Sequence, residues 1–222
     1  MLSLFKTLIV SLGVSLVVAF GVTQHQAQVF DYTQVRAASY KIYNLNDENG
    51  TGVMIAPKRM LTAAHVAKQQ SNETPLYVDG NPIKVLKIDD KFDLALLEVD
   101  LLCPCVPVAK DLPSIDFKVI TVGYPLGNLI KAQILTVGAI QGFIPEEYRI
   151  MATVAGVPGN SGGGLFGFTK QGWQLFGVVV ENAGMYTGFY PVLVQYMTRS
   201  VDTKSINEFL KDADVGPTTV YF

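Results

Sequence analysis

The stretch VAGVPGNSGGGLFGF spans residues 154–168. Its serine, Ser161, is surrounded by glycines at positions 159, 162, 163 and 164. Glycine weakens the interior of a strand, but it allows turn conformations that a side chain would resist. Two interpretations follow. The stretch is either a flexible turn between two hydrophobic strands, or a nucleophilic serine beside backbone N–H groups that receive an oxyanion.

The composition indicates a globular protein with a large core. The 222 residues are 49% hydrophobic and 16% charged, enough for one large domain or two small ones. The net charge of −2 provides no basic stripe, and the single tryptophan, Trp173, is not interleaved with basic residues. We therefore expect no nucleic acid as a partner.

Short apolar runs separated by turn signals begin near Val35 and predict an all-β fold of about nine strands. Three prolines in residues 100–114 interrupt strand pairing, which predicts a connector between two β-units. The predicted domains are a first barrel at 38–100, a connector at 101–115, a second barrel at 116–198, and a helix with a tail at 199–222.

The predicted C-terminal helix carries an apolar face at helical spacing, formed by Ile206, Phe209, Leu210 and Ala213. Asp202 or Ser200 would cap its start.

The N-terminal segment, residues 1–27, is predicted to be a signal peptide or a membrane anchor. An uncharged apolar run of 15 residues, 8–22, follows Lys6. This length suits a signal peptide, and Ala19-Phe20-Gly21 offers a cleavage site. If the apolar residues before Lys6 are included, residues 2–22 approach the length of a membrane span. Both alternatives predict that the protein is exported, either secreted or periplasmic, or held at the membrane.

The cysteines and histidines indicate no metal site or cofactor. Cys103 and Cys105 are only two residues apart, so a bridge between them would be strained. The chain has two histidines, and no zinc-binding spacing is present.

If Ser161 is a nucleophile, it needs a general base. His25 lies close to the apolar segment, which leaves His65 in MLTAAHVA as the candidate base. The base needs an acceptor that orients it, and Asp93 directly precedes the apolar strand LALLEV. Asp89 and Asp90 are the alternatives.

TAAHV, FDLALLEV, TVGYPLG and PGNSGGGLF together resemble the chymotrypsin-like serine endopeptidases, most closely the bacterial Deg/HtrA-type branch. The resemblance covers roughly residues 45–198. It implies two packed six-stranded antiparallel β-barrels, with His65 and Asp93 in the first and Ser161 in the second. It also implies hydrolysis of polypeptides through an acyl-enzyme, with an oxyanion hole formed by the N–H groups of Gly159 and Ser161.

The resemblance places the substrate pocket at Ala155, Val179, Val180, Gly188 and Tyr190. Trypsin-like enzymes have an aspartate where this chain has Ala155, so we expect cleavage after small or aliphatic residues. A basic preference would arise only if Glu181 turned into the pocket; otherwise Glu181 is a solvated rim residue.

Asn160 occupies the position where digestive relatives have an aspartate that pairs with a new N-terminus. Because only a short stretch follows the predicted helix, we expect this chain to lack the C-terminal peptide-binding domain of Deg/HtrA-type enzymes. Two rival functions remain: a catalytically silent relative that binds peptides, and a membrane-anchored structural or interaction protein.

Overall fold

The computed structural model describes residues 30–46, 49–71, 74–102, 104–127, 129–186 and 191–215, without side chains at 182–186 and 191–196. The predicted leader, His25 and Cys103 lie outside these ranges, whereas Cys105 is described and buried. Among the described helices, none has the length and apolar character needed to cross a membrane.

The first half of the fold is an antiparallel sheet. Within the described residues it has seven strands in the order β5-β4-β1-β2-β3-β7-β6, curled into a half-barrel. The strands are β1 (Ser39–Tyr43), β2 (Asn49–Ala56), β3 (Arg59–Ala63), β4 (Tyr77–Val78), β5 (Asn81–Pro82), β6 (Lys84–Asp89) and β7 (Leu94–Glu98). The central strands β2, β3 and β7 are almost entirely buried, and β7 is accordingly a nearly continuous apolar run.

The second half is a closed antiparallel barrel. The part of the chain that the structure describes contributes six strands to it, in the order β10-β13-β12-β11-β8-β9. They are β8 (Lys118–Gly123), β9 (Ile134–Ile144), β10 (Arg149–Ala152), β11 (Gly164–Thr169), β12 (Gly172–Tyr186) and β13 (Pro191–Val201). Val119, Ile140, Ile150, Ala152, Val154 and Leu165 form a cluster in its core.

The helices of the described residues are short. They are α1 (Thr33–Ala37), α2 (Ala64–Ala67) and α3 (Thr203–Leu210), with a single 3-10 turn at Pro145–Glu147. The Asp202 carboxylate accepts a hydrogen bond from the Ser205 N–H at 2.7 Å and so caps α3. Ser200, the alternative cap, belongs to β13 instead, and α3 ends before Ala213.

The predicted all-β, chymotrypsin-like fold with a C-terminal helix is confirmed. The structure adds detail to the first half. Two of its seven strands, β4 and β5, are only two residues long.

Candidate active site

His65 and Asp93 form a hydrogen-bonded pair in the first half of the fold. His65 lies on α2, directly after β3, and its Nδ1 is 2.8 Å from Asp93 Oδ2. The other carboxylate oxygen, Oδ1, accepts the main-chain N–H of His65 at 2.9 Å. A carboxylate only accepts hydrogen bonds, so Nδ1 is the donor in this contact, and in the neutral imidazole Nε2 is then the acceptor. The side chains are 46% and 23% exposed, so the imidazole remains accessible.

A tight turn before β7 positions Asp93. The residue has a φ of +60°, a left-handed conformation that aspartate tolerates better than most side chains. The Asp89 carboxylate accepts the Phe92 N–H at 3.0 Å within the turn, and Asp90 forms an ion pair with Lys68. Of the three aspartates considered from the sequence, Asp93 is therefore the one that contacts His65 in the structure.

The segment that leads into Ser161 is a β-turn with Pro158 and Gly159 at its corners. The Asn160 N–H donates to the Val157 carbonyl at 3.0 Å, and Gly159 has a φ of +96°, as a type II turn requires. The Leu126 N–H donates to the Pro158 carbonyl at 2.6 Å. In a trans peptide the N–H points opposite to the carbonyl, so the Gly159 N–H points away from Leu126.

The same turn is bonded to strand β2 through Thr51. The Thr51 N–H donates to the Ser161 carbonyl at 2.8 Å, and the Thr51 hydroxyl donates to the Gly159 carbonyl at 2.7 Å. The hydroxyl oxygen also accepts the Tyr124 N–H at 3.1 Å. One buried threonine thus connects the first half of the fold to the turn that carries Ser161.

Two glycines allow this turn to approach the segment that carries His65. A Cβ on Gly50 would lie 2.6 Å from Val66 Cγ1 and 3.2 Å from the Ser161 carbonyl oxygen. A Cβ on Gly162, whose φ is +85°, would collide with the Thr51 carbonyl and the Thr62 hydroxyl. Ser161 is thereby brought against the end of β3 and the start of α2, where His65 lies.

Three of the five residues predicted to line the substrate pocket, Ala155, Val179 and Val180, lie within the described residues. Val179 is buried and exchanges main-chain hydrogen bonds with Gly162 and Gly163, at 2.7 and 2.8 Å, so β12 runs beside the Ser161 turn. Val180 follows it and is also buried. The Ala155 carbonyl accepts a hydrogen bond from the buried Asn160 amide at 3.1 Å. The remaining two predicted pocket residues, Gly188 and Tyr190, lie outside the described residues.

Glu181 is engaged by arginines. Its Oε2 lies 2.9 Å from Arg199 Nη1, and its Oε1 lies 3.9 Å from Arg149 Nη2. Its side chain is 44% exposed. The carboxylate is therefore partly solvated and already has cationic partners.

Burial raises the pKa of the Tyr124 phenol above its ordinary value of 10.0, and a hydrogen bond from Gln133 acts in the opposite direction. The phenol is neutral at physiological pH and contributes no charge near the Ser161 turn.

Across the described ranges, no group of three His, Cys, Asp or Glu residues is arranged to hold a metal ion.

Sequence reasoning missed Thr51 and Leu126, although both make hydrogen bonds to the Ser161 turn. The partner of the Thr51 hydroxyl, the Gly159 carbonyl, lies 108 residues further along the chain. The partner of the Leu126 N–H, the Pro158 carbonyl, lies on a separate loop. These contacts can be seen only once the fold is known.

Comparison with known proteins agrees with this architecture. A family model described as the trypsin-like peptidase domain matches residues 50–178. The Rv3671c protease, crystallised in an inactive form, is 24% identical with a TM-score of 0.63, covering 84% of this chain and 92% of its own. The active form, from Mycobacterium tuberculosis, is 22% identical with a TM-score of 0.63 and 86% coverage of each chain.

A serine endoprotease from Yersinia pestis is 24% identical with a TM-score of 0.61, covering 84% of this chain and 69% of its own. At these identities the likeness shows the fold. No curated protein matches the sequence significantly. The family match extends over more than half of the chain, and the chain belongs to the trypsin-like peptidase family. The predicted resemblance is thereby confirmed.

Replacing Thr51 with valine should reduce peptidase activity more than stability alone explains. The change keeps the shape of the side chain but leaves the Gly159 carbonyl and the Tyr124 N–H without a partner. Such a loss costs about 1–3 kcal/mol, a roughly 5- to 150-fold fall in kcat/KM if it acts on the transition state. Steady-state hydrolysis of a peptide substrate measures it.

Thr203→Val provides the matched control. Thr203 is equally buried and donates to the Phe176 carbonyl at the same 2.7 Å, but it lies at the start of α3. The Thr203→Val substitution should lower the free energy of unfolding without changing the kcat/KM of the folded enzyme. Equal losses of kcat/KM in both variants would contradict the role assigned to Thr51.

Proposed function

We propose that the protein is a serine endopeptidase that cleaves polypeptides through an acyl-enzyme on Ser161. The observation that carries the proposal is the His65–Asp93 hydrogen bond of 2.8 Å, next to the glycine-rich turn that presents Ser161. The membership of the trypsin-like peptidase family supports the same chemistry. Polypeptides are the substrate class that this family implies.

His65 acts first as the general base and then as the general acid in the proposed mechanism. The Ser161 hydroxyl attacks the scissile carbonyl as His65 Nε2 takes the hydroxyl proton, and Asp93 stabilises the imidazolium that forms. His65 then gives this proton to the leaving amine, and the C–N bond breaks. Water attacks the resulting ester in the second half of the cycle, with His65 as the base, and releases Ser161 and the carboxylic acid product.

The N–H groups of Gly159 and Ser161 are assigned to the oxyanion hole. The other N–H groups of the turn, those of Asn160, Gly162 and Gly163, donate to carbonyls of the protein. The peptide between Pro158 and Gly159 is held by the bond from Leu126, which supports a fixed direction for the Gly159 N–H. Donors fixed before the reaction stabilise the developing charge without reorganisation.

Substitutions of the three proposed catalytic residues should remove activity. Ser161→Ala or His65→Ala should lower kcat by about 10⁶-fold, and Asp93→Asn by about 10⁴-fold because the imidazole loses its orienting acceptor. Hydrolysis of a fluorogenic peptide measures each value, and circular dichroism confirms that the variants are folded.

Asp90→Asn is the matched control, since Asp90 lies three residues from Asp93 and pairs with the surface residue Lys68. It should keep kcat within about threefold, because an exposed ion pair contributes little. Near-normal turnover in Asp93→Asn, with a large loss in Asp90→Asn, would refute the assignment of Asp93.

We assign the primary specificity to small or aliphatic residues. Ala155, Val179 and Val180 carry no charge, and the carboxylate of Glu181 is paired with Arg199. A substrate ammonium would therefore be desolvated without a dedicated partner, which is costly. Each methylene that fits an apolar pocket contributes about 1–3 kcal/mol.

A peptide library analysed by mass spectrometry should show cleavage mainly after Ala, Val or Leu, with broad tolerance among them. Glu181→Gln should leave this preference unchanged. Dominant cleavage after Lys or Arg that Glu181→Gln abolishes would overturn the aliphatic assignment.

We also propose that the peptidase acts outside the cytoplasm, secreted, periplasmic or tethered by residues 2–22. The support is the apolar run after Lys6 in the sequence. N-terminal sequencing of the protein from cells distinguishes a cleaved leader from an anchor. Active enzyme in the cytosol with its leader intact would contradict both.

A further inference from the structure

Phe92, the residue before Asp93, is held by two residues of the second barrel. Phe92 is 2% exposed, and its ring meets the Tyr148 ring edge to face, with centroids 5.1 Å apart and planes at 89°. The Phe92 carbonyl accepts a hydrogen bond from Arg149 Nη1 at 3.3 Å. Tyr148 and Arg149 are consecutive and lead from the 3-10 turn into β10. They touch both the ring and the carbonyl of the same residue.

Arg149 is an unusual residue to bury. Its side chain is 9% exposed, and its Nη2 lies 3.9 Å from the carboxylate of Glu181. Within the described residues its Nε has no hydrogen-bond acceptor. Burial of a charge with such loose pairing costs stability. An apolar side chain would fill this position without the cost of burying a charge. The hydrogen bond to the Phe92 carbonyl is an interaction that arginine makes here and an apolar side chain could not make.

The carbonyl that Arg149 holds belongs to the peptide that joins Phe92 to Asp93. A peptide unit is planar, so fixing its carbonyl also fixes its N–H and restrains φ of the next residue. Asp93 has a φ of +60°, a conformation that costs energy for a non-glycine residue and persists only when its surroundings hold it. That φ also directs the carboxylate toward the Nδ1 and main-chain N–H of His65.

We propose that Arg149 is a positioning residue for the reaction: it holds the Phe92–Asp93 peptide and thereby keeps the Asp93 carboxylate aligned with His65. Glu181 supports it by balancing its charge. The inference rests on the proposed function, because it assigns Arg149 an effect on catalysis that acts through Asp93.

The test is a double-mutant cycle with Arg149→Met and Asp93→Asn, in which kcat and KM for one peptide substrate are measured in all four proteins. Arg149→Met alone should lower kcat by about 10- to 100-fold, because small misplacements of a catalytic group have effects of this size. KM should change by less than about threefold. In the Asp93→Asn background, the same substitution should lower kcat by less than about threefold, since residues that act as a unit are not additive.

Arg199→Met is the matched control, because Arg199 bonds the same Glu181 carboxylate while the Phe92 carbonyl keeps its bond from Arg149. It should lower kcat by less than about threefold. Thermal unfolding establishes that each protein is folded. Arg149→Lys retains the positive charge but lacks the planar guanidinium, so it should recover part of the kcat lost in Arg149→Met. If Arg149→Met does not fold, Arg149→Lys replaces it in the cycle.

Equal losses of kcat from the Arg149 substitution in both backgrounds would show a merely structural role and overturn the inference. An unchanged kcat in Arg149→Met, or a loss confined to KM, would overturn it as well. The proposed function fails separately: if Asp93→Asn alone keeps normal turnover, then Asp93 is not the orienting residue, and the role of Arg149 falls with it.

Discussion

The attachment of the Ser161 turn to strand β2 is the interaction on which the rest of the site depends. Thr51 makes this attachment with its N–H and its hydroxyl, to the carbonyls of Ser161 and Gly159. His65 and Ser161 come from different halves of the fold, so neither half can form the site alone. Glycine is required at position 162, because a Cβ there would collide with the Thr51 carbonyl on β2 and the Thr62 hydroxyl on β3.

The two halves also meet at the turn before β7, and there the second barrel acts on the first. Arg149 reaches the Phe92 carbonyl at 3.3 Å, and Asp93 reaches His65 at 2.8 Å. Thr51 in the first half of the fold thus holds the Ser161 turn, while Arg149 in the closed barrel holds the turn that carries Asp93. In the proposed mechanism, the placement of Ser161, His65 and Asp93 therefore depends on how the two halves pack.

Local patterns in the sequence supply the candidate residues of the site. Ser161 was predicted from its glycines, His65 as the base within the folded part, and Asp93 from its place before an apolar strand. The structure shows the contact between His65 and Asp93, and the three catalytic roles stay predictions. Thr51 and Arg149 were not predictable, because each acts on a residue at least 57 positions away and neither lies in a distinctive motif. Glu181 was identified as a decisive residue, but its arginine partners depend on the register between β12 and β13, where it lies opposite Arg199.

Covalent labelling with a fluorophosphonate probe, followed by mapping of the modified peptide by mass spectrometry, tests whether Ser161 is a nucleophile activated by His65. The probe reacts with a serine whose hydroxyl is activated by a base. We expect one phosphonylated residue, Ser161, and no label in folded His65→Ala. A folded wild-type protein that takes no label, or one labelled equally in His65→Ala, would contradict this role of Ser161.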